Sequence, residues 1–219
     1  MKLEERRRVS AAADRLVESV SEQIARSPGN RAALRRSVGR APEHPQSRHA
    51  IALVARHIPP ESDEAVERAF YAVAALIAAQ PRQSPQDDSD DDVPNGETAD
   101  ELDAATGVKA PESWNLGATL GRAVALPGSP LKFDTVEARL HLLCRQRIEG
   151  LHRQLPRLVS QLKAIRVPVD WSRLTVDLSR WGTDADHVAK EWLQDYYRTY
   201  FRLKPTDENP PPIDESESR

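Results

Sequence analysis

The chain has 219 residues, 39% of them hydrophobic, 5% aromatic and 30% charged, a composition that favours helices and is too lean in large side chains for a big core. Its longest apolar run, Ala69 to Ala79, falls well short of the roughly 20 residues a membrane-spanning helix requires. The net charge of −3 conceals strong segregation: residues 1–58 hold twelve Lys/Arg against six Asp/Glu, residues 113–182 hold eleven against five, and Ser84 to Glu112 holds ten acids against Lys109 alone.

The mixed-charge start, Met1 to Arg8, leads into no apolar core and does not read as a secretory signal. One cysteine, Cys144, rules out an intrachain disulfide, and no Asn stands in a glycosylation sequon. These features lead us to expect a cytoplasmic protein with no membrane partner.

In chain order, Leu3, Val9, Ala12, Ala13, Leu16, Val17, Val20 and Ile24 follow three-and-four spacing and predict a long amphipathic helix over 3–25. Ser27-Pro28-Gly29-Asn30 breaks it, and a short basic helix over 31–38 is expected, with Asn30 as N-cap and Gly39 as its stop. A third helix is expected over 46–57, ended by Pro59-Pro60, and a fourth, the most buried, over 65–79, capped by Ser62 or Asp63.

Four prolines and five acids within six positions mark 81–113 as a flexible acidic linker, because such a segment cannot offset its ordering entropy by burial. Beyond it, helical patterns cover 116–126, 134–155, 156–165, 171–181 and 184–202. Asp134 with Glu137 suggests a capping box, and Pro156 suits the first position of a restarted helix. The expected fold is all-α: two small helical bundles, 1–80 and 114–202, joined by the linker and followed by a disordered acidic tail over 203–219.

No catalytic constellation emerges. There is no phosphate-binding Gly loop, no His-Glu-x-x-His and no Cys pair, and the six histidines lack metal spacing, so we expect no enzyme activity, cofactor or metal. His44 and His49 read as loop and surface residues. Ser160-x-x-Lys163 lacks the companion motifs of acyl-transfer enzymes. Gly117-x-x-x-Gly121 reads as close helix packing, and Cys144 as a small core hydrophobe. The four tryptophans read mainly as core or interface residues, with base stacking a lesser option.

The arginines say more. On a helix continuing through 134–155, Arg139, Gln146 and Arg153 recur every seven positions opposite the Val136-Leu140-Leu151-Leu155 stripe, and Arg157 extends that face if the helix continues. A second group, Arg31, Arg35, Arg36 and Arg40, lies on and just after the short helix, while Arg122, Lys132, Lys163 and Arg166 add to the far block. Planar guanidinium forks without interleaved acids can track phosphates, though a solvated helix face gives the same pattern. Two separated basic surfaces favour an extended polyanion.

Several ordered segments then resemble a known family. They are Leu34-Arg35-Arg36, Asn115-Leu116-Gly117-Ala118-Thr119-Leu120-Gly121-Arg122-Ala123, and Val136-Glu137-Ala138-Arg139-Leu140 leading to Arg145 and Arg147. Leu155 to Leu158, Val169-Asp170-Trp171 and Arg180-Trp181-Gly182 follow. In this order they resemble the CasB-type small subunit of type I-E Cascade, the CRISPR surveillance complex.

The resemblance implies an all-helical, non-catalytic subunit present in two copies, which partners other Cascade subunits and their guide RNA and helps hold the opened target DNA. Its basic positions map onto Arg35 or Arg36, Arg122, Arg139, Arg145 and Arg157, with Arg147 and Arg153 as alternatives one helical step away. The candidate nucleic-acid-binding set is therefore Arg31, Arg35, Arg36, Arg122, Arg139, Arg145, Arg147, Arg153, Arg157 and Lys163. The ligand would be single-stranded DNA or heteroduplex backbone, gripped so as to stabilise the R-loop. A helical protein-interaction scaffold without direct DNA binding is the alternative.

Overall fold

A computed structural model describes residues 3–80 and 113–204. Apart from their edges, the expected linker and tail lie outside the described residues. Among the described residues there are eight α-helices and no strand: α1 (Leu3–Arg26), α2 (Pro28–Arg36), α3 (Arg48–Val54), α4 (Glu64–Ala79), α5 (Leu116–Ala125), α6 (Phe133–Cys144), α7 (Ile148–Ala164) and α8 (Trp171–Leu203). The all-α expectation is the observed architecture. No helix among the described residues is long and apolar enough to cross a membrane.

The apolar stripe of α1 buries Val9, Ala12, Ala13, Leu16 and Val20. Ser27, not Asn30, caps α2: its hydroxyl accepts the Asn30 amide at 3.2 Å, and Pro28 occupies the first helical turn, where a missing N–H costs nothing. Gly39 supplies the left-handed backbone, φ +69°, that turns the chain after α2. The expected third helix is a short α-helix, α3, flanked by 3₁₀ turns at Pro45–Ser47 and Ala55–His57. Asp63 caps α4 by accepting the Val66 amide at 2.8 Å, and ten side chains of α4 are buried.

The second half departs further from sequence pattern. Lys132 occupies the N-cap of α6 without a side-chain cap bond, so Asp134 and Glu137 form no capping box and Asp134 lies in the first turn instead. The helix breaks at 145–147 rather than at Pro156. Arg145 and Gln146 donate three residues back to Leu142 and Leu143, and the freed Gln146 carbonyl accepts the Trp181 indole N–H at 3.1 Å. Pro156 then sits inside α7. Burial of Leu151, Leu155, Leu158, Val159 and Leu162 along one face offsets the roughly 3 kcal/mol an interior proline costs.

The two expected C-terminal helices run on as α8, which kinks at Asp184 (φ −145°, ψ 35°) and continues to Leu203. A polar network staples the kink. Arg180, 6% exposed, donates to Asp184 at 2.9 Å and to both oxygens of Glu191, while Arg173 bridges Asp177 and Glu191. Trp192 donates its indole N–H to Asp177 at 2.8 Å. Burial pushes the Asp177 carboxyl above its usual range, opposed by Arg173 and by the Trp192 bond. The Arg180-Trp181 pair of the family-like segment is thus internal to the fold.

Helix α8 joins the molecule together. It packs against α1 and α4 as well as α5 and α6, and the buried side chains on both sides of the acidic segment belong to one cluster. Gly182 meets the Ala65 methyl of α4, while Gly117 and Gly121 press α5 onto the backbone of Trp192 and Tyr196. Trp181 and Trp192 lie in this core with ring centroids 4.9 Å apart. Burial pushes the Cys144 thiol up to about 12, as suits a packing residue.

One buried group couples stability to pH. His152 on α7 is 4% exposed, and neither ring nitrogen finds a hydrogen-bond partner among the described residues. Burial, reinforced by the Arg68 guanidinium, lowers its pKa from 6.5 to about 4. Its neutral form suits the fold, so the associated stability is complete above pH 6.5 and drains away as pH falls toward 4. The loss is on the order of 3 kcal/mol. Thermal melts of His152→Leu between pH 7 and pH 4 should show a shallower fall in Tm than the unsubstituted protein; parallel curves would assign the acid sensitivity elsewhere.

Candidate nucleic-acid interface

The arginines expected on one continuous helix face occupy two helices. Because the chain breaks at 145–147 and folds back, Arg139 lies on α6, Arg153 and Arg157 on α7, and Gln146 in the break. The seven-residue spacing therefore no longer aligns them, yet tertiary packing brings the same side chains together. Arg139, Arg153 and Arg157 surround one open cleft of about 400 Å³ between α6 and α7. Arg153 and Arg157 are exposed and Arg139 is half-buried.

The cleft is amphipathic. Leu142, Leu143 and Leu158 contribute its apolar part, Leu142 being 54% exposed, and Gln154 and Gln161 supply amides. Arg139 donates to the Gln161 side-chain oxygen at 2.7 Å, which fixes one arm of its fork. No local signal in the sequence marks Gln161 or Leu142, since Gln161 meets its partner 22 positions away and Leu142 has the character of a core residue.

The basic group of α2 meets this site at one point. Gly39 rests against the backbone of α7, where a Cβ would stand 3.8 Å from the His152 carbonyl oxygen and 3.9 Å from the Arg153 Cα. Arg40, the next residue, and Arg35 and Arg36 at the end of α2 are all exposed. The turn that follows the basic helix thus approaches the backbone of α7 at Arg153.

The remaining expected residues divide. Arg145 and Arg147 are exposed in the α6–α7 break; Arg145 borders a different groove, between α6 and α8, together with Lys190 and Asp186. Lys163 is half-buried in the last turn of α7. Arg31 turns inward: its guanidinium donates to the Ala78 carbonyl at 3.1 Å and to the Gln80 carbonyl, capping the C-terminus of α4. Arg122, expected at the surface, is 6% exposed and lies over the Trp114 ring, 5.1 Å from its centroid. Its helix buries nearly every side chain, because α5 is clamped between its neighbours.

Among the described residues no three His, Cys, Asp or Glu side chains gather to hold a metal ion. His44 accepts the Gln46 amide at the start of a 3₁₀ turn and is exposed, as is His49. Near Cys144, the Tyr197 hydroxyl donates to Glu137 at 2.5 Å and lies 3.2 Å from the His141 ring. The Glu137 bond, then burial, pushes the Tyr197 phenol up to about 12, which holds the proton on the oxygen and makes the group a tether between α6 and α8.

No curated protein matches this chain. Several solved structures are similar, two of which follow. A chain of a "CRISPR RNA-guided surveillance complex" is 43% identical with a TM-score of 0.70, and one of a "CRISPR RNA-guided surveillance complex, pre-nicking" is 44% identical with a TM-score of 0.69. Each comparison covers 88% of this chain and 95% of the other. The family described as CRISPR-associated protein Cse2 matches residues 30–197, from the first turn of the basic helix to Tyr197 in α8. With that span matched and the helical order shared, the chain belongs to the CRISPR-associated protein Cse2 family.

Proposed function

We propose that this chain is a non-catalytic subunit of a type I-E Cascade complex that holds the backbone of opened target DNA and so stabilises the guide RNA–DNA R-loop in antiviral defence. The observation that carries this reading is the gathering of Arg139, Arg153 and Arg157 around one cleft, with the exposed Arg35, Arg36 and Arg40 on the segment whose Gly39 approaches the α7 backbone at Arg153. Such an arrangement suits a flexible polyanion that follows a curved path, since each neutralised phosphate releases counterions whatever the base sequence.

Replacing a DNA duplex with an RNA–DNA heteroduplex is nearly balanced in free energy. A handful of phosphate contacts can therefore tip the equilibrium. Companion subunits, the guide RNA and a second copy of the chain are the partners in this reading; that the two similar chains come from RNA-guided surveillance complexes supports the first two.

The test is salt dependence. With about six phosphate contacts, log affinity against log salt should fall with a slope of roughly −5 for duplex DNA and roughly −4 for a single strand. A scaffold whose arginines meet protein carboxylates would retain no DNA at any salt concentration, and that result would overturn the proposal.

A further inference from the structure

The cleft between α6 and α7 is more than a cationic patch, and its additional features suggest what else it binds. Phosphate recognition needs charge and N–H donors but no apolar floor. Here Arg139, Arg153 and Arg157 line the cleft together with Leu142, which is 54% exposed among the described residues, and with the edge of the otherwise buried Leu158. Two amide side chains, Gln154 and Gln161, also line the cleft. Its volume of about 400 Å³ lies near the small end of the roughly 300–1,000 Å³ range of small-molecule pockets.

An occupant suited to every part of this lining must carry an anion, a flat apolar face and a polar edge in one small unit. A nucleotide with its base turned out of the stack meets those terms. We propose that the α6–α7 cleft of this chain receives one unstacked base of single-stranded DNA, its face against Leu142 and its edge toward Gln154 or Gln161. The flanking phosphates meet Arg139, Arg153 and Arg157. This rests on the backbone-holding role proposed above and deepens it.

The Arg139–Gln161 bond at 2.7 Å positions both side chains. It holds the Gln161 amide in place while leaving the second arm of the guanidinium for a phosphate oxygen. A paired duplex cannot use the floor, because its base faces are covered by their neighbours. The cleft therefore discriminates by strandedness and tolerates any sequence, since every base has a flat face.

The experiment compares two labelled oligonucleotides of equal length, oligothymidylate and an abasic strand with the same phosphates, binding the full-length chain at low ionic strength by fluorescence anisotropy. Oligothymidylate should bind about threefold to tenfold more tightly, the effect of covering about 30–50 Å² of apolar face on a leucine. Leu142→Ser should remove that difference and leave the abasic affinity unchanged; the substitution is at an exposed position and spares the core.

Equal binding of the two strands, with both weakened by salt, would overturn the base cleft while leaving the backbone role standing. A preference that survives Leu142→Ser would place the base elsewhere and overturn it as well. Failure of either strand to bind at low salt would remove the backbone role and the cleft with it.

Discussion

Charge reversal of Arg139 and Arg153 to Glu together is expected to lower DNA retention by the assembled complex about a hundredfold, with helicity and assembly unchanged. Each hydrogen bond to a charged group contributes roughly 1.5–3 kcal/mol net, or about tenfold or more in affinity per arginine. A carboxylate in the same place adds repulsion toward the phosphate, so the pair should exceed simple loss of contact. Neither side chain belongs to the core: Arg153 is exposed, and Arg139 makes one side-chain bond among the described residues, to Gln161. The double variant should therefore keep its far-UV circular dichroism and copurify with companion subunits, while an electrophoretic shift of target DNA needs far more complex. Retention equal to that of the unsubstituted complex would reduce both arginines to surface solubility.

The largest stability effect is expected at a residue with no side chain. A Cβ added at Gly117 would lie 1.8 Å from the Trp192 carbonyl oxygen and 2.5 Å from its carbon, both backbone atoms that cannot rotate aside. Gly117→Ala must therefore push α5 away from α8 and open the interface that buries Leu116, Leu120 and Trp192. Overpacking that flexible side chains absorb costs about 1–3 kcal/mol, and a contact with rigid backbone lies at or above the top of that range. At roughly 2–4 °C per kcal/mol for a chain of this size, Tm should fall by at least roughly 6–12 °C.

The comparison is one-sided, because alanine is the better helix former by about 1 kcal/mol and would stabilise an exposed helix position. Gly121→Ala should cost less, since its Cβ would stand 2.5 Å from the Tyr196 carbonyl oxygen, with the remaining close atoms beyond 3 Å. A melt of Gly117→Ala within a degree or two of the parent would show that α5 does not pack so closely.

Local pattern was enough for much of this molecule. The apolar spacing of α1, a cap for α4 at Ser62 or Asp63, the small-residue spacing of Gly117 and Gly121 and the core character of Cys144 all follow from interactions within a few residues of the chain or from side-chain size, with the structure selecting Asp63. The breaks were harder to read. Pro156 suits a helix start because proline lacks an N–H, but a buried leucine face on both sides of it holds α7 intact. The actual break at 145–147 depends on the Trp181 indole, 35 positions away, which takes up the Gln146 carbonyl.

The candidate site divides along the same line. The sequence by itself determined the family, the helical class and which segments carry positive charge, because composition and short ordered motifs are properties of the chain. Only the tertiary structure decided which charges face outward together. It turned Arg31 to the end of α4 and laid Arg122 over Trp114, and it gathered Arg139, Arg153 and Arg157 around a cleft although they share no single helix. The physical reason is that a guanidinium's charge is fixed by its chemistry, whereas its direction is set by what lies across from its helix, and that neighbour comes from a distant part of the chain.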